Sequence, residues 1–280
     1  MSLRQAFADD RPVIAAELRP PRARLDAAAG IDAWIDTYHA VRRLARQDTF
    51  VFLTDSAVGQ PEEDNLRHLH ANLGTQTPRG RVVPFLTTKH PLAHCLDYAD
   101  RARDLGFEAL VVLGGDRHVG PPRCVEHGSA LRRLIRERQP DLLLGGWANP
   151  ARDPATQVGY LTAATATADF YLTQIVSHHD PAPVERFLAE ADRRRLRLPG
   201  LFGVFFYRSA NPRTLEILSR FLDVPAQGLT REFDAGATAE EICARTIRRL
   251  REQGARHVYV SNLPLARAAR TLATIIELAR

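Results

Sequence analysis

Hydrophobic positions follow two rhythms along this chain. Short continuous apolar runs, bounded by Gly, Pro or polar residues, read as strands buried on both faces. Between them, apolar residues recur at three- and four-residue spacing, the pattern of helices with one buried face. The runs are VIAAEL (13–18), TFVFLTD (49–55), RVVPFLTT (81–88), EALVVLGG (108–115), DLLLGGW (141–147), DFYLTQI (169–175), LPGLFGVFF (198–206) and HVYVSNL (257–263). The intervening patterns predict helices over 31–46, 61–73, 91–105, 124–138, 153–167 and 181–194, from 211–212 onward, and over 238–253 and 265–279. Pro61 with two glutamates is a good helix opening, and Gly106 a good stop.

Eight buried strands alternating with helices is the count of a (β/α)8 barrel, here one domain over 1–280. A doubly wound open sheet is the alternative. No GxGxxG follows the first strand, which removes the dinucleotide fingerprint of that fold.

Composition narrows the function classes. The net charge is +5, and Lys89 is the only lysine. The arginines are scattered along helical stretches rather than clustered with aromatics, so nucleic-acid binding is not expected. Cys95, Cys124 and Cys243 lie far apart in sequence, form no CxxC pair and give no disulfide framework. The opening MSLRQAFADDRP lacks the apolar core of a signal peptide. No apolar run approaches the ~20 residues that span a bilayer, so the chain reads as cytoplasmic. Monomer and homo-oligomer both stay open.

In this barrel, ligands bind at the C-terminal ends of the strands. Those ends carry Glu17, Thr54 with Asp55, Thr87 with Thr88 and Lys89, Asp116, Trp147, Thr173 with Gln174, Tyr207 or Arg208, and Ser261 with Asn262. Carboxylates, an amide and hydroxyls over an apolar floor suit a heterocycle with amide edges. Glu17 is either an ion-pair partner of Arg19 or Arg22, or a general acid with a pKa raised by apolar surroundings. Asp116, delivered after Gly114-Gly115, is either a ligand-facing carboxylate or a partner for Arg117 or a cap for its own loop. Lys89 at a strand end has the chemistry for a Schiff base but reads as a solvated helix-start lysine. His90 and His94 are four apart, and His178, His179 and Asp180 follow the sixth strand. Neither group has further ligands at a diagnostic spacing, so no metal is expected.

Taken together, these strand ends resemble methylenetetrahydrofolate reductases over nearly the whole chain. The resemblance rests on Glu17 with Pro20-Pro21-Arg22, on Thr54 ending VFLT, and on Pro84 to Thr87 in PFLT. It continues with Gly115-Asp116 in LGGD, Thr173-Gln174 in YLTQ, and Pro199-Gly200. It implies a (β/α)8 barrel that reduces 5,10-methylenetetrahydrofolate to 5-methyltetrahydrofolate, with FAD and NAD(P)H as cofactors. Glu17 would be the general acid that opens the five-membered ring. Asp116 would sit by the pterin and flavin rings, Gln174 would hydrogen-bond the pterin, and Thr54 would contact substrate and flavin. Thr87, Gly115, Trp147 and Gln174 would line the cofactor.

Departures from the family pattern cluster. Phe85 stands where the family has a histidine, and Gly114 where it has an arginine. Trp147-Ala148-Asn149-Pro150 replaces its fifth-strand segment. The positions that hold the FAD ribose and phosphates fall near Thr156, Gly159, Thr162 and Ala163, and no basic residue occurs from Pro154 to Gln174. Arg152 is the nearest cation. Two expectations follow: FAD on altered anchors, or no flavin and direct hydride transfer from NAD(P)H. The clustering of the losses favours the second. A folate-binding protein without reductase activity, or a tetrahydrofolate-dependent methyltransferase or demethylase, is the alternative.

Overall fold

In the computed structural model, residues 1–21, 27–55, 66 and 77–280 are described, with side chains throughout except at 27 and 28. Eight parallel strands close a barrel in sequence order: β1 (Ile14–Leu18), β2 (Phe50–Leu53), β3 (Val82–Thr87), β4 (Ala109–Leu113), β5 (Leu143–Ala148), β6 (Phe170–Val176), β7 (Gly200–Phe205) and β8 (His257–Ser261). The protein is a (β/α)8 barrel, and every strand falls on a segment expected from the apolar runs, with β5 and β6 each running one residue beyond it. The helices are α1 (Leu3–Ala8), α2 (Ala27–Arg46), α3 (Leu92–Asp104), α4 (Gly128–Arg138), α5 (Pro154–Thr162), α6 (Ala182–Arg193), α7 (Pro212–Ser219), α8 (Ala226–Asp234), α9 (Ala239–Glu252) and α10 (Ala268–Leu278). The helix expected over 61–73 lies outside the described residues except at Leu66, which is helical and buried.

Strand parity sorts the core into two layers. Ala15, Phe52, Phe85, Val111, Leu143, Leu172, Leu201 and Tyr259 fill the interior. Alternate residues such as Ala16, Val51, Leu86, Val112, Leu144 and Val260 pack outward against the helices. Glu17 shares the parity of Ala15, so it stands at the top of the filled interior. Its register partner is Phe52 on β2.

Two elements were not foreseen. The first is α1, opened by a capping box between Ser2 and Gln5. Its Leu3 and Ala6 are fully buried in the interior cluster, and the Phe7 ring lies 5.6 Å from that of Phe170. Its six residues make fewer than two turns, too short for a period to show. It packs against the interior layer at the N-terminal side, away from the polar strand ends. The second is α8, a surface helix inserted between α7 and α9.

Boundaries moved where caps decide them. Asp153 caps α5, which stops at Thr162, so the stretch 163–167 is not helical as the Ala/Thr composition suggested. Helix α4 starts at Gly128 rather than near 124, because residues 114–127 form a long loop over the β4 end.

Candidate functional site

The base of the candidate site is the top interior layer. Leu113, Trp147 and Ile175 are half-buried and pack on the interior cluster. Phe85, where the resemblance implies a histidine, is buried with its ring 5.9 Å from that of Phe52. The floor is apolar, as expected.

Glu17 rises from this floor. Ser261 Oγ, at the end of the neighbouring strand β8, donates to Glu17 Oε1 at 2.7 Å. Loss of water raises the carboxyl pKa; the Ser261 bond and the more distant Arg19 oppose that only in part. Glu17 is therefore held in the range where a carboxylic acid keeps its proton to higher pH. The ion pair offered as its alternative partner does not form with Arg19, which is exposed; Arg22 lies outside the described residues.

A bulge re-aims the end of β6. Its register with β7 shifts between Leu172 and Ile175. Gly203 N donates to Thr173 Oγ1 at 3.1 Å, and Tyr259 OH donates to Thr173 O at 2.6 Å, so side chains satisfy the broken ladder. Gly203 has to be glycine here, since a Cβ would sit 2.5 Å from Tyr259 OH. Gln174, on the bulge, accepts from Ile175 N through its own Oε1 at 3.0 Å. Its amide thus folds back on its own backbone instead of reaching over the floor.

Asp116 behaves likewise. Its Oδ1 accepts from His118 N at 2.7 Å and Val119 N at 3.1 Å. These backbone donors hold its pKa below the ordinary value. Of the readings open in the sequence, the loop cap describes its contacts. Gly115 adopts φ +68° at this turn, a conformation that favours glycine. Arg123 lies against Gly114, the position where the family has an arginine, and donates to Gly115 O and to Glu126 O.

The β2 and β3 ends form a buried polar network that was read as separate candidates. Asp55 Oδ2 accepts from Thr87 N at 2.7 Å and Thr87 Oγ1 at 2.9 Å, and lies 2.8 Å from His90 Nε2. Thr87 is buried, and its hydroxyl donates to Asp55. Thr54 Oγ1 reaches Leu18 O at 3.4 Å, toward β1. Lys89 corrects the solvated reading: it is 4% exposed, and its Nζ donates to Val119 O and Pro121 O at 2.7 Å each. It pins the loop that carries Asp116. Cys95 and Cys124, far apart in sequence, bring their sulfurs to 4.0 Å.

Other candidates separate from this base. Arg208 is exposed and donates to Asn262 O at 3.3 Å; Tyr207 is buried, with no partner for its hydroxyl among the described residues. Asn262 donates to Phe206 O at 3.0 Å. His178 and His179 meet Glu232 of α8, at 3.2 and 3.1 Å. Glu232 carried no sequence signal, because the helix bearing it was not foreseen.

The barrel has counterparts among solved structures. A protein from Clostridium thermocellum that binds two copies of 5-methyl-5,6,7,8-tetrahydrofolic acid superposes with a TM-score of 0.67 at 15% identity, covering 99% of this chain and 97% of its own. A dihydrodipicolinate synthase superposes at 0.50 with 11% identity, covering 96% of this chain and 78% of its own. At these identities the likeness is one of fold. No protein-family model and no curated protein matches the sequence. No helix among the described residues is long and apolar enough to cross a membrane.

Proposed function

We propose that the barrel binds a reduced folate over the Leu113–Trp147–Ile175 floor and reduces 5,10-methylenetetrahydrofolate, with Glu17 as general acid. The observation that carries this reading is the desolvated Glu17 carboxyl with its raised pKa at the top of the barrel interior. Ring opening needs a proton at the bridge nitrogen, and a carboxyl whose burial raises its pKa is suited to supply it. The C–N bond breaks toward that nitrogen and leaves a methylene iminium on the folate. NAD(P)H supplies the hydride that turns this carbon into a methyl group. The ionised Glu17 left behind stabilises the cationic iminium until hydride arrives. The folate-binding barrel from Clostridium thermocellum, similar along its whole length, supports a folate as the ligand class.

Direct hydride transfer, without flavin, is supported by α5. The residues there do not fit an FAD diphosphate. Asp153 Oδ2 accepts from Thr156 N and Thr156 Oγ1, so an anionic side chain already caps the helix end where phosphate oxygens would need donors. Arg194, whose guanidinium lies 3.2 Å from a Cβ placed at Gly159, is paired with Glu190. Freshly purified protein is expected to be colourless and to oxidise NADH or NADPH only when methylenetetrahydrofolate is present. A flavin absorbance band would overturn the flavin-free reading.

A second reading is favoured by Gln174 and Asp116, whose side chains are engaged by nearby backbone amides: folate binding without reduction, or methyl transfer to tetrahydrofolate. Saturable binding of 5-methyltetrahydrofolate with no NAD(P)H oxidation would select it.

A further inference from the structure

The turn after β6 gathers metal-ligating side chains that the folate reading does not use. His178 and His179 are adjacent, and Glu232 comes from α8. One ligand atom from each lies within 4.8 Å of the other two. The two imidazoles stack with centroids 4.0 Å apart. Each ring is held from its Nδ1 side, His178 by Thr246 Oγ1 and His179 by Ser177 Oγ, both at 2.8 Å. Ligating histidines are commonly oriented in this way, through the ring nitrogen that does not bind the metal.

The centre of this group holds buried atoms that the surrounding protein leaves unpaired. His178 Nε2 faces Glu232 Oε1 at 3.2 Å. His179 Nε2 and Glu232 Oε2 are 3.1 Å apart and buried, yet neither has a hydrogen-bond partner among the described residues. Buried polar atoms are rarely left in that state. The backbone is shaped for this arrangement too: a Cβ at Gly228 would run into the His179 ring.

We propose that His178, His179 and Glu232 bind a divalent transition-metal ion, with zinc the best match to two imidazoles and one carboxylate. Three protein ligands leave a coordination position open. The same residues line a pocket of about 570 Å³ together with Arg231 and Arg245, and Arg245 also donates to Glu232 Oε1. Glu241 lines it as well, so with the ion present the two arginines and the metal outweigh two carboxylates and the pocket carries net positive charge. Its fourth ligand is water or an anionic oxygen, that of a carboxylate or phosphate. The site rests on none of the residues assigned to the folate.

Calorimetric titration of the full chain, stripped with EDTA, with zinc chloride tests this. One equivalent is expected to bind and to raise the melting temperature. His179→Ala and Glu232→Gln should each weaken binding by more than the roughly 10–100-fold that loss of an outer partner costs, and Thr246→Val should fall within that range. Glu232→Gln keeps the side-chain shape, and circular dichroism checks its fold. Cobalt(II) gives a second readout: intense visible bands of low-coordinate cobalt in the wild type, lost in Glu232→Gln. No stoichiometric zinc in the wild type, equal affinity in both ligand variants, or only the weak spectrum of hydrated cobalt would each overturn the site.

Discussion

The base around Glu17 and the rim around His178 were built in different ways from the same chain. At the base, Glu17 and Ser261 sit at the ends of neighbouring strands, and one hydrogen bond joins them. Strand parity alone sends them to the top of the interior. At the rim, ligands from a β6 turn and from a surface helix meet only because α8 packs there. The base is chemistry on rigid strand ends, with desolvation as its working force. The rim is chemistry on connecting segments, with side-chain pairing across long sequence separation as its force. A barrel can therefore keep its scaffold and change its chemistry from the rim inward.

Substitutions separate the two regions, and the largest effect belongs to the base. Glu17→Gln should lower turnover by about 10²–10⁴-fold while folate binding persists, measured by steady-state kinetics beside equilibrium binding; retained turnover would remove Glu17 from the chemistry. Next in size, Gly203→Ala forces a methyl against Tyr259 OH and should destabilise the fold by about 1–3 kcal/mol in urea unfolding. Because Tyr259 holds Thr173 O at the bulge, the same variant should impair the base before the rim, and zinc affinity should be nearly unchanged.

The pH profile sharpens the comparison further. A general acid with a raised pKa is active below that pKa, so kcat/KM should fall as pH rises through it, at a pH above the ordinary carboxylate range. Ser261→Ala removes a bond that lowers the Glu17 pKa, so the falling limb should move to still higher pH. A limb that stays put would mean that Ser261 does not act through Glu17. The smallest effect belongs to Asp116. Asp116→Ala loses two exposed backbone bonds, a cost of about 1 kcal/mol, whereas Asp116→Asn keeps an acceptor and should cost less. Thermal melts check the order of the two. Strong loss of turnover in the stable Asn variant would restore a charge role to Asp116.

Much of the base could be read from sequence because its residues end apolar runs, and an apolar run reports both its strand and where the strand stops. Glu17 was legible for that reason. What its neighbours do was not. Thr87 carries a strand-end hydroxyl that faces Asp55, and Lys89 is buried under its own loop. Gln174 and Asp116 satisfy nearby backbone amides. Hydrogen-bond direction is set by which donor lies within about 3 Å, and no periodicity encodes it.

By itself, then, the sequence determined the barrel, because eight two-sided burials in a row leave a chain few other ways to hide its strands. It also determined that a carboxylic acid stands at the first strand's end. Tertiary structure alone decided the rest: α1 packed against the interior layer, the Asp55–Thr87–His90 network, the approach of Cys95 to Cys124, and the meeting of His178, His179 and Glu232. Burial leaves a local, repeating trace in sequence. Contacts between polar residues tens of positions apart leave none until the fold closes.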